Sequence, residues 1–127
     1  MIHLDTSVVI DALTGPRRSG PELRAAIAAG ERVGFCAIVL FEWLRGPRHE
    51  AELHAQEQLF PRDQAVPFGP EEGALAATLH AAVKRPRGRE VDLAIAACAL
   101  AQGAALWTLN PEDFRDVPGL TLYEPAP

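Results

Sequence analysis

Cysteine is scarce in this chain, and a basic leader, a long apolar run and internal repeats are missing. The two cysteines, Cys36 and Cys98, each sit in an apolar stretch with no cluster of ligating side chains nearby. That excludes a disulfide framework and a zinc ribbon and makes both of them core fillers in a reducing compartment. No secretory signal opens the chain, and the longest apolar run, Leu93 to Ala101, is too short to span a bilayer. The expected location is the cytoplasm, with no membrane contact. Positive charge is also in deficit: 17 acids against 12 bases give a net charge of -5. Overall charge therefore excludes a nonspecific nucleic-acid binder, and the question becomes where the charges sit.

What is present is a core. The chain has 127 residues, 48% of them hydrophobic, and a domain of this size buries roughly two thirds of its unfolded surface. A single domain over residues 1–124 is expected, with 125–127 as a loose tail. The runs "MIHL", "RVGFCA", "AVPF" and "GAALWTL" read as short buried strands, and "LTLY" as a fifth. Helical patterns separate most of them. Pro21-Glu22 opens one helix and Gly30 closes it; Pro70-Glu71-Glu72 opens another whose last turn carries Lys84 and Arg85 before Pro86 stops it. Arg48 to Phe60 forms an inserted helix. Strands alternating with helices predict an α/β fold, a central mainly parallel sheet flanked by helices.

Four acids stand out. Asp5 falls where the first strand would end, the edge at which open α/β sheets place their sites; a capping role is the alternative, although Thr6 or Ser7 fills it equally well. Glu42 lies in "AIVLFEWLRG", a helix apolar on nearly every side and so expected to be buried. Its pair with Arg45 is worth only about 0.2–0.5 kcal/mol, far less than the several kcal/mol that burying an ion costs. Asp92 stands in the first turn of "REVDLAIAACALA", where helix-dipole stabilisation alone also accounts for an acid. On its face, Ala96 and Ala99 leave room for a close neighbour. Asp113 follows Asn110, an N-cap candidate, and Pro111, so an ordinary first-turn acid is the alternative there.

Four carboxylates on one sheet edge repel by roughly 4 kcal/mol per pair at about 4 Å and an effective dielectric of 20. Such a cluster needs a cation, and an all-oxygen set selects Mg²⁺ or Mn²⁺ over zinc. His49 and His54, five apart and so about 140° around a helix, are not a zinc pair and are expected to be solvated.

In order and spacing, "HLDTSVVID", the isolated Glu of "FEWLRG", "DLAIAACAL" and "LWTLNPEDF" followed by "VPGLTLYEP" resemble a PIN-domain ribonuclease of the VapC toxin type over essentially the whole chain. The resemblance implies an acidic pocket of Asp5, Glu42 and Asp92 holding the metal, with a fourth acid near the last motif. Thr6 or Ser7, together with Thr108, would orient the carboxylates. Many PIN domains carry an acid where this chain has Asn110, which points to Asp113 as the fourth; Asn110 can still hold a metal-bound water.

"KRPRGRE" places Lys84, Arg85, Arg87 and Arg89 just before Asp92, positioned to hold phosphates of a single-stranded RNA unless the run is simply a solvated loop. Arg17 and Arg18, or Arg45 and Arg48, would extend the track. The expected function is a Mg²⁺- or Mn²⁺-dependent endoribonuclease, the toxin of a toxin–antitoxin pair. A cognate antitoxin would dock on apolar surface around Phe41, Trp43, Leu44, Leu53 and Leu59, the same residues that would otherwise serve core packing or a homodimer. Two other readings are an inactive RNA- or protein-binding module and a haloacid-dehalogenase-like phosphatase. The latter needs an acid where Ser7 stands.

Overall fold

The structure is a computed structural model that describes residues 1–14 and 19–126; Arg17 and Arg18 lie outside the described residues. Its sheet is parallel and open, with β1 (Ile2–Leu4) between β2 (Val33–Gly34) and β3 (Ala105–Trp107). Ile2 pairs with Val33 on one side and Ala105 on the other, and Leu4 with Trp107. All of β1 is buried, as a central strand covered on both faces must be.

Two predicted strands shrink to single bridges. Val66 bridges Cys36, and Leu122 bridges Leu106, extending the sheet at each edge without forming a ladder. The N–H of Val66 donates to Phe35 and that of Ala37 to Val66, but Pro67 has no donor to continue the ladder. "RVGFCA" likewise contributes only Val33–Gly34 to a strand.

The helices follow in order: α1 (Thr6–Leu13), α2 (Ser19–Ala28), α3 (Ala37–Arg45), α4 (Glu50–Leu59), α5 (Pro70–Ala82) and α6 (Glu90–Ala101). α2 starts two residues ahead of Pro21, where the Ser19 N–H donates to Asp11 Oδ2 at 2.7 Å, and Gly30 at φ +91° ends the excursion. α4 is shorter than the predicted span of 48–60, because the His49 N–H is met by Glu52 Oε1 at 2.8 Å and helix begins there. His49 and His54 are both exposed.

α5 stops at Ala82, short of Lys84 and Arg85. Val83 turns extended and buries its side chain, which draws the chain off the helix axis, and Arg85 adopts a left-handed φ of +54°. Both bases therefore sit in the connection to α6.

α6 crosses the centre of the molecule. Leu93, Ile95 and Ala96 to Ala99 are all buried against α5, α3 and β3. Full burial of Leu93 or Ile95 is worth about 1.5–3 kcal/mol each. Cys36 and Cys98 are buried in the same core.

α3 is not enclosed as its pattern predicts. Val39 and Trp43, four apart, face the core, while Phe41 stays 60% exposed and Leu44 38%. The helix packs on α1 and α6 on one side only, so its opposite apolar face meets solvent.

Candidate active site

Asp5 stands at the carboxyl end of β1. Its N–H donates to the Trp107 carbonyl at 2.9 Å, carrying the sheet one residue further, and its own carbonyl accepts the N–H groups of Val8 and Val9 to start α1. The carboxylate does not cap α1, nor do the side chains of Thr6 and Ser7. Thr108 Oγ1 donates to Asp5 Oδ2 at 2.7 Å and Ser7 Oγ to the same oxygen at 3.0 Å. Ser7 Oγ and Thr108 Oγ1 in turn accept the backbone N–H groups of Leu109 and Asn110. The turn after β3 is thereby stitched to the start of α1.

Glu42 projects from α3 to the same edge. Thr6 Oγ1 donates to its Oε1 at 2.5 Å, and Arg45 reaches Oε2 at 3.5 Å. Arg45 also lies over the Phe41 ring. Arg48 is committed elsewhere, stacked on Trp43 and donating to the carbonyls of Trp43 and Pro47.

Asp92 occupies the first turn of α6. Burial and then the charges of Asp5, Asp113 and Glu42 push its carboxyl up to about 6, with Arg89 pulling the other way. Asp5 is also raised, first by burial and also by Glu42, against the hydrogen bonds from Thr108 and Ser7. Four predicted acids thus share one electrostatic neighbourhood, although Asp113 is exposed on a 3₁₀ turn, Pro111–Asp113. Asn110 takes the position before that turn without a side-chain capping bond.

Among the described residues, no three His, Cys, Asp or Glu side chains are grouped closely enough to enclose an ion as oriented here. Glu42 is turned to Thr6 and Arg45. The donor chemistry nonetheless fits a hard cation: carboxylate oxygens, two of them on acids whose charged forms are disfavoured by burial and by neighbouring acids.

The basic run divides. Lys84, Arg85 and Arg87 are exposed, and none makes an ion pair among the described residues. Arg89 forks onto Asp116, with 2.9 and 2.6 Å contacts, and donates to the Asp113 carbonyl. Asp116 is not a candidate by sequence: nothing in the spacing of 27 residues marks it as a partner of Arg89.

A cleft of about 190 Å³ opens between α2 and α4, lined by Leu23, Ile27 and Leu59 among others. Trp43 is fully buried, so of the proposed docking residues it belongs to the core, while Phe41, Leu44 and Leu59 are exposed and Leu53 is partly so.

Asp5 at the end of β1, Glu42 on α3, and Asp113 on the turn after β3 thus lie within electrostatic reach of Asp92 on α6, on an α/β domain with an open parallel sheet. The chain belongs to the PIN domain family, whose profile matches residues 2–120. No curated protein matches its sequence. Among solved structures, the chain is similar to VapBC2 from Rickettsia felis, bound to a DNA fragment from its promoter: 21% identity, 97% of this chain and 98% of that one, TM-score 0.73. FitAcB from Neisseria gonorrhoeae shares 23% identity over 98% of each chain at TM-score 0.74. DNA-bound VapBC from Salmonella typhimurium shares 19% over 96% of each at 0.75. At these identities the likeness is one of fold. No helix among the described residues is long and apolar enough to cross a membrane.

Proposed function

We propose that the chain is a divalent-metal-dependent endoribonuclease acting as the toxin of a toxin–antitoxin pair. The observation that carries this is Asp5 held at the end of β1 by Thr108 and Ser7, with Glu42 held on Thr6 and Asp92 in the first turn of α6, four segments that share no local sequence; burial first, then Asp5, Asp113 and Glu42, push the Asp92 carboxyl up to about 6. Packing has no use for such a cluster, whereas cation binding does.

Asp5, Glu42 and Asp92 would hold Mg²⁺ or Mn²⁺, with Asp113 as the fourth carboxylate. Bound there, the ion supplies Lewis acidity, lowering the pKa of an attacking water and neutralising charge on the scissile phosphate. The chain's own work is positional. Thr108 and Ser7 fix Asp5, and Thr6 fixes Glu42. Lys84, Arg85 and Arg87 hold flanking phosphates of the strand. Water adds to phosphorus as the ribose 3′ oxygen leaves, giving a 5′-phosphate and a 3′-hydroxyl.

Control falls to a partner. A basic segment of a cognate antitoxin is attracted by the net charge of -5 and by the acidic pocket. Its helix has an apolar seat in the α2–α4 cleft, while the exposed Phe41 and Leu44 suit a second copy of the chain. The VapBC complexes of similar fold support an antitoxin here by analogy.

The test is incubation of structured RNAs with purified protein, with and without Mg²⁺ or Mn²⁺, beside Asp5→Asn. Metal-dependent products with 5′-phosphate ends that vanish in the variant are expected. Equal cleavage by the variant would reject the assignment.

A further inference from the structure

Arg89 sits in the run of bases that precedes Asp92, yet both of its terminal nitrogens are already engaged. Nη1 and Nη2 donate to Asp116 Oδ2 and Oδ1 at 2.9 and 2.6 Å. Nη2 also donates to the Asp113 carbonyl at 2.9 Å and Nη1 to the Lys84 carbonyl at 3.1 Å. The side chain is only 20% exposed, whereas Asp116 is 46% exposed. Arg89 is the residue from which α6 springs, one turn ahead of Asp92, while Asp113 and Asp116 ride on the segment that follows β3. One guanidinium therefore ties together three pieces of chain: the start of the α5–α6 connection, the amino end of α6, and the segment bearing Asp113 and Asp116.

We propose that Arg89, paired with Asp116, is a positioning residue that clamps the Pro111–Asp113 turn onto the amino end of α6 and so sets the approach of Asp113 to Asp92. The inference rests on reading those two acids as part of the metal site. Two carboxylates that repel one another need an outside constraint to stay near, and the clamp supplies it through backbone: the bond to Asp113 is to its carbonyl, which leaves its carboxylate unengaged by Arg89. An exposed ion pair ordinarily contributes little. The parallel fork on Asp116, with two further carbonyls, is the planar geometry that only arginine provides, and an ammonium in its place satisfies fewer of these acceptors. Asp116 also cancels the cation, so Arg89 has neither free charge nor a free fork for an RNA phosphate.

The experiment compares Arg89→Ala, Arg89→Lys, Asp116→Ala and the Arg89→Ala/Asp116→Ala double variant in the full chain, with Asp92→Asn as control. Three readouts are taken: Mn²⁺ affinity from the electron paramagnetic resonance of the free ion, RNA binding against salt without divalent metal, and kcat and KM for cleavage. Loss of a group that orients ligands typically costs about 10–100-fold in metal affinity or activity. Arg89→Ala and Asp116→Ala should each weaken Mn²⁺ binding by roughly tenfold and lower kcat to match. The double variant should be no worse than either single, and KM and the salt slope of RNA binding should not move. Arg89→Lys, which keeps charge and the bulk of the fold, should lose nearly as much, which also covers an alanine variant that fails to fold.

Tighter RNA binding by Asp116→Ala, with weaker binding by Arg89→Ala, would make Arg89 a phosphate ligand and overturn the proposal. Unchanged Mn²⁺ affinity in the clamp variants, while Asp92→Asn abolishes it, would overturn the clamp alone. Unchanged affinity in Asp92→Asn as well would reject the metal-site reading and the clamp with it.

Discussion

Thr108 donates to Asp5 across 103 positions of sequence, at 2.7 Å and out of contact with water. A buried carboxylate left short of such a donor bears a desolvation cost of about 1–3 kcal/mol. Thr108→Val should therefore lower unfolding stability by about that amount, and Thr108→Ser, which keeps the hydroxyl, by much less. Urea midpoints at neutral pH check this. Equal stability of the valine variant and the parent would mean that Asp5 is held some other way.

Asp92 gives a pH signature. Its folded-state carboxyl titrates near 6, raised from an ordinary 3.8, so the folded protein binds the proton more tightly than the unfolded one. The stability this contributes is complete below about pH 4 and is lost as pH rises through 6. Asp92→Asn, never charged, should be more stable than the parent at pH 7 without metal, by about 1–2 kcal/mol after allowance for its partial exposure. The difference should close by about pH 4. A variant less stable than the parent at pH 7 would contradict the repulsion.

His3 works in the opposite sense. It is buried in β1, its Nε2 has no hydrogen-bond partner among the described residues, and burial followed by the amino terminus lowers its pKa to about 4. The folded state therefore resists protonation, and the stability associated with neutral His3 is present above pH 6.5 and lost as pH falls toward 4. The full loss is about 3 kcal/mol. Unfolding of the parent and His3→Leu at pH 7 and pH 4.5 separates this from Asp92: the leucine variant should lose less stability on acidification. Parallel losses in both proteins would remove His3 as the cause.

Lys84, Arg85 and Arg87 are the bases left to meet a strand. Replacing Arg85 and Arg87 with alanine should weaken RNA binding and reduce the log–log salt slope by about 0.7 for each phosphate no longer neutralised. Folding stability should hardly change, and the exchange of Arg85 relieves a left-handed side-chain-bearing residue only if glycine replaces it. An unchanged slope would return these residues to an ordinary solvated loop.

Much of the scaffold was legible because it is written locally. The short run Met1 to Leu4 before Asp5 marks a central strand, and the alanine-rich run after Asp92 marks a helix that others pack against closely. That order also explains why Asp5, Glu42 and Asp113 all act on Asp92. What escaped is tertiary. The end of α5 depends on Val83 being drawn into the core, which no helix signal records. An apolar helix such as α3 looks the same in sequence whether neighbours cover all of it or only the Val39–Trp43 side. Arg89 resembles its basic neighbours until Asp116 is brought beside it by the fold.

The insertion of β3 beside β1 has a temporal side. During synthesis β1 and α1 are made well before β3, and until β3 pairs with β1 Asp5 lacks both the Trp107 carbonyl and the Thr108 hydroxyl. At about 5–20 residues per second, translation delivers these pieces roughly 5–20 s after Asp5 itself. Under the proposed function, a copy not yet extended past β3 is therefore unarmed. Its chemistry begins when β3 and the turn behind it dock beside β1, and this is the moment at which an antitoxin must already be present.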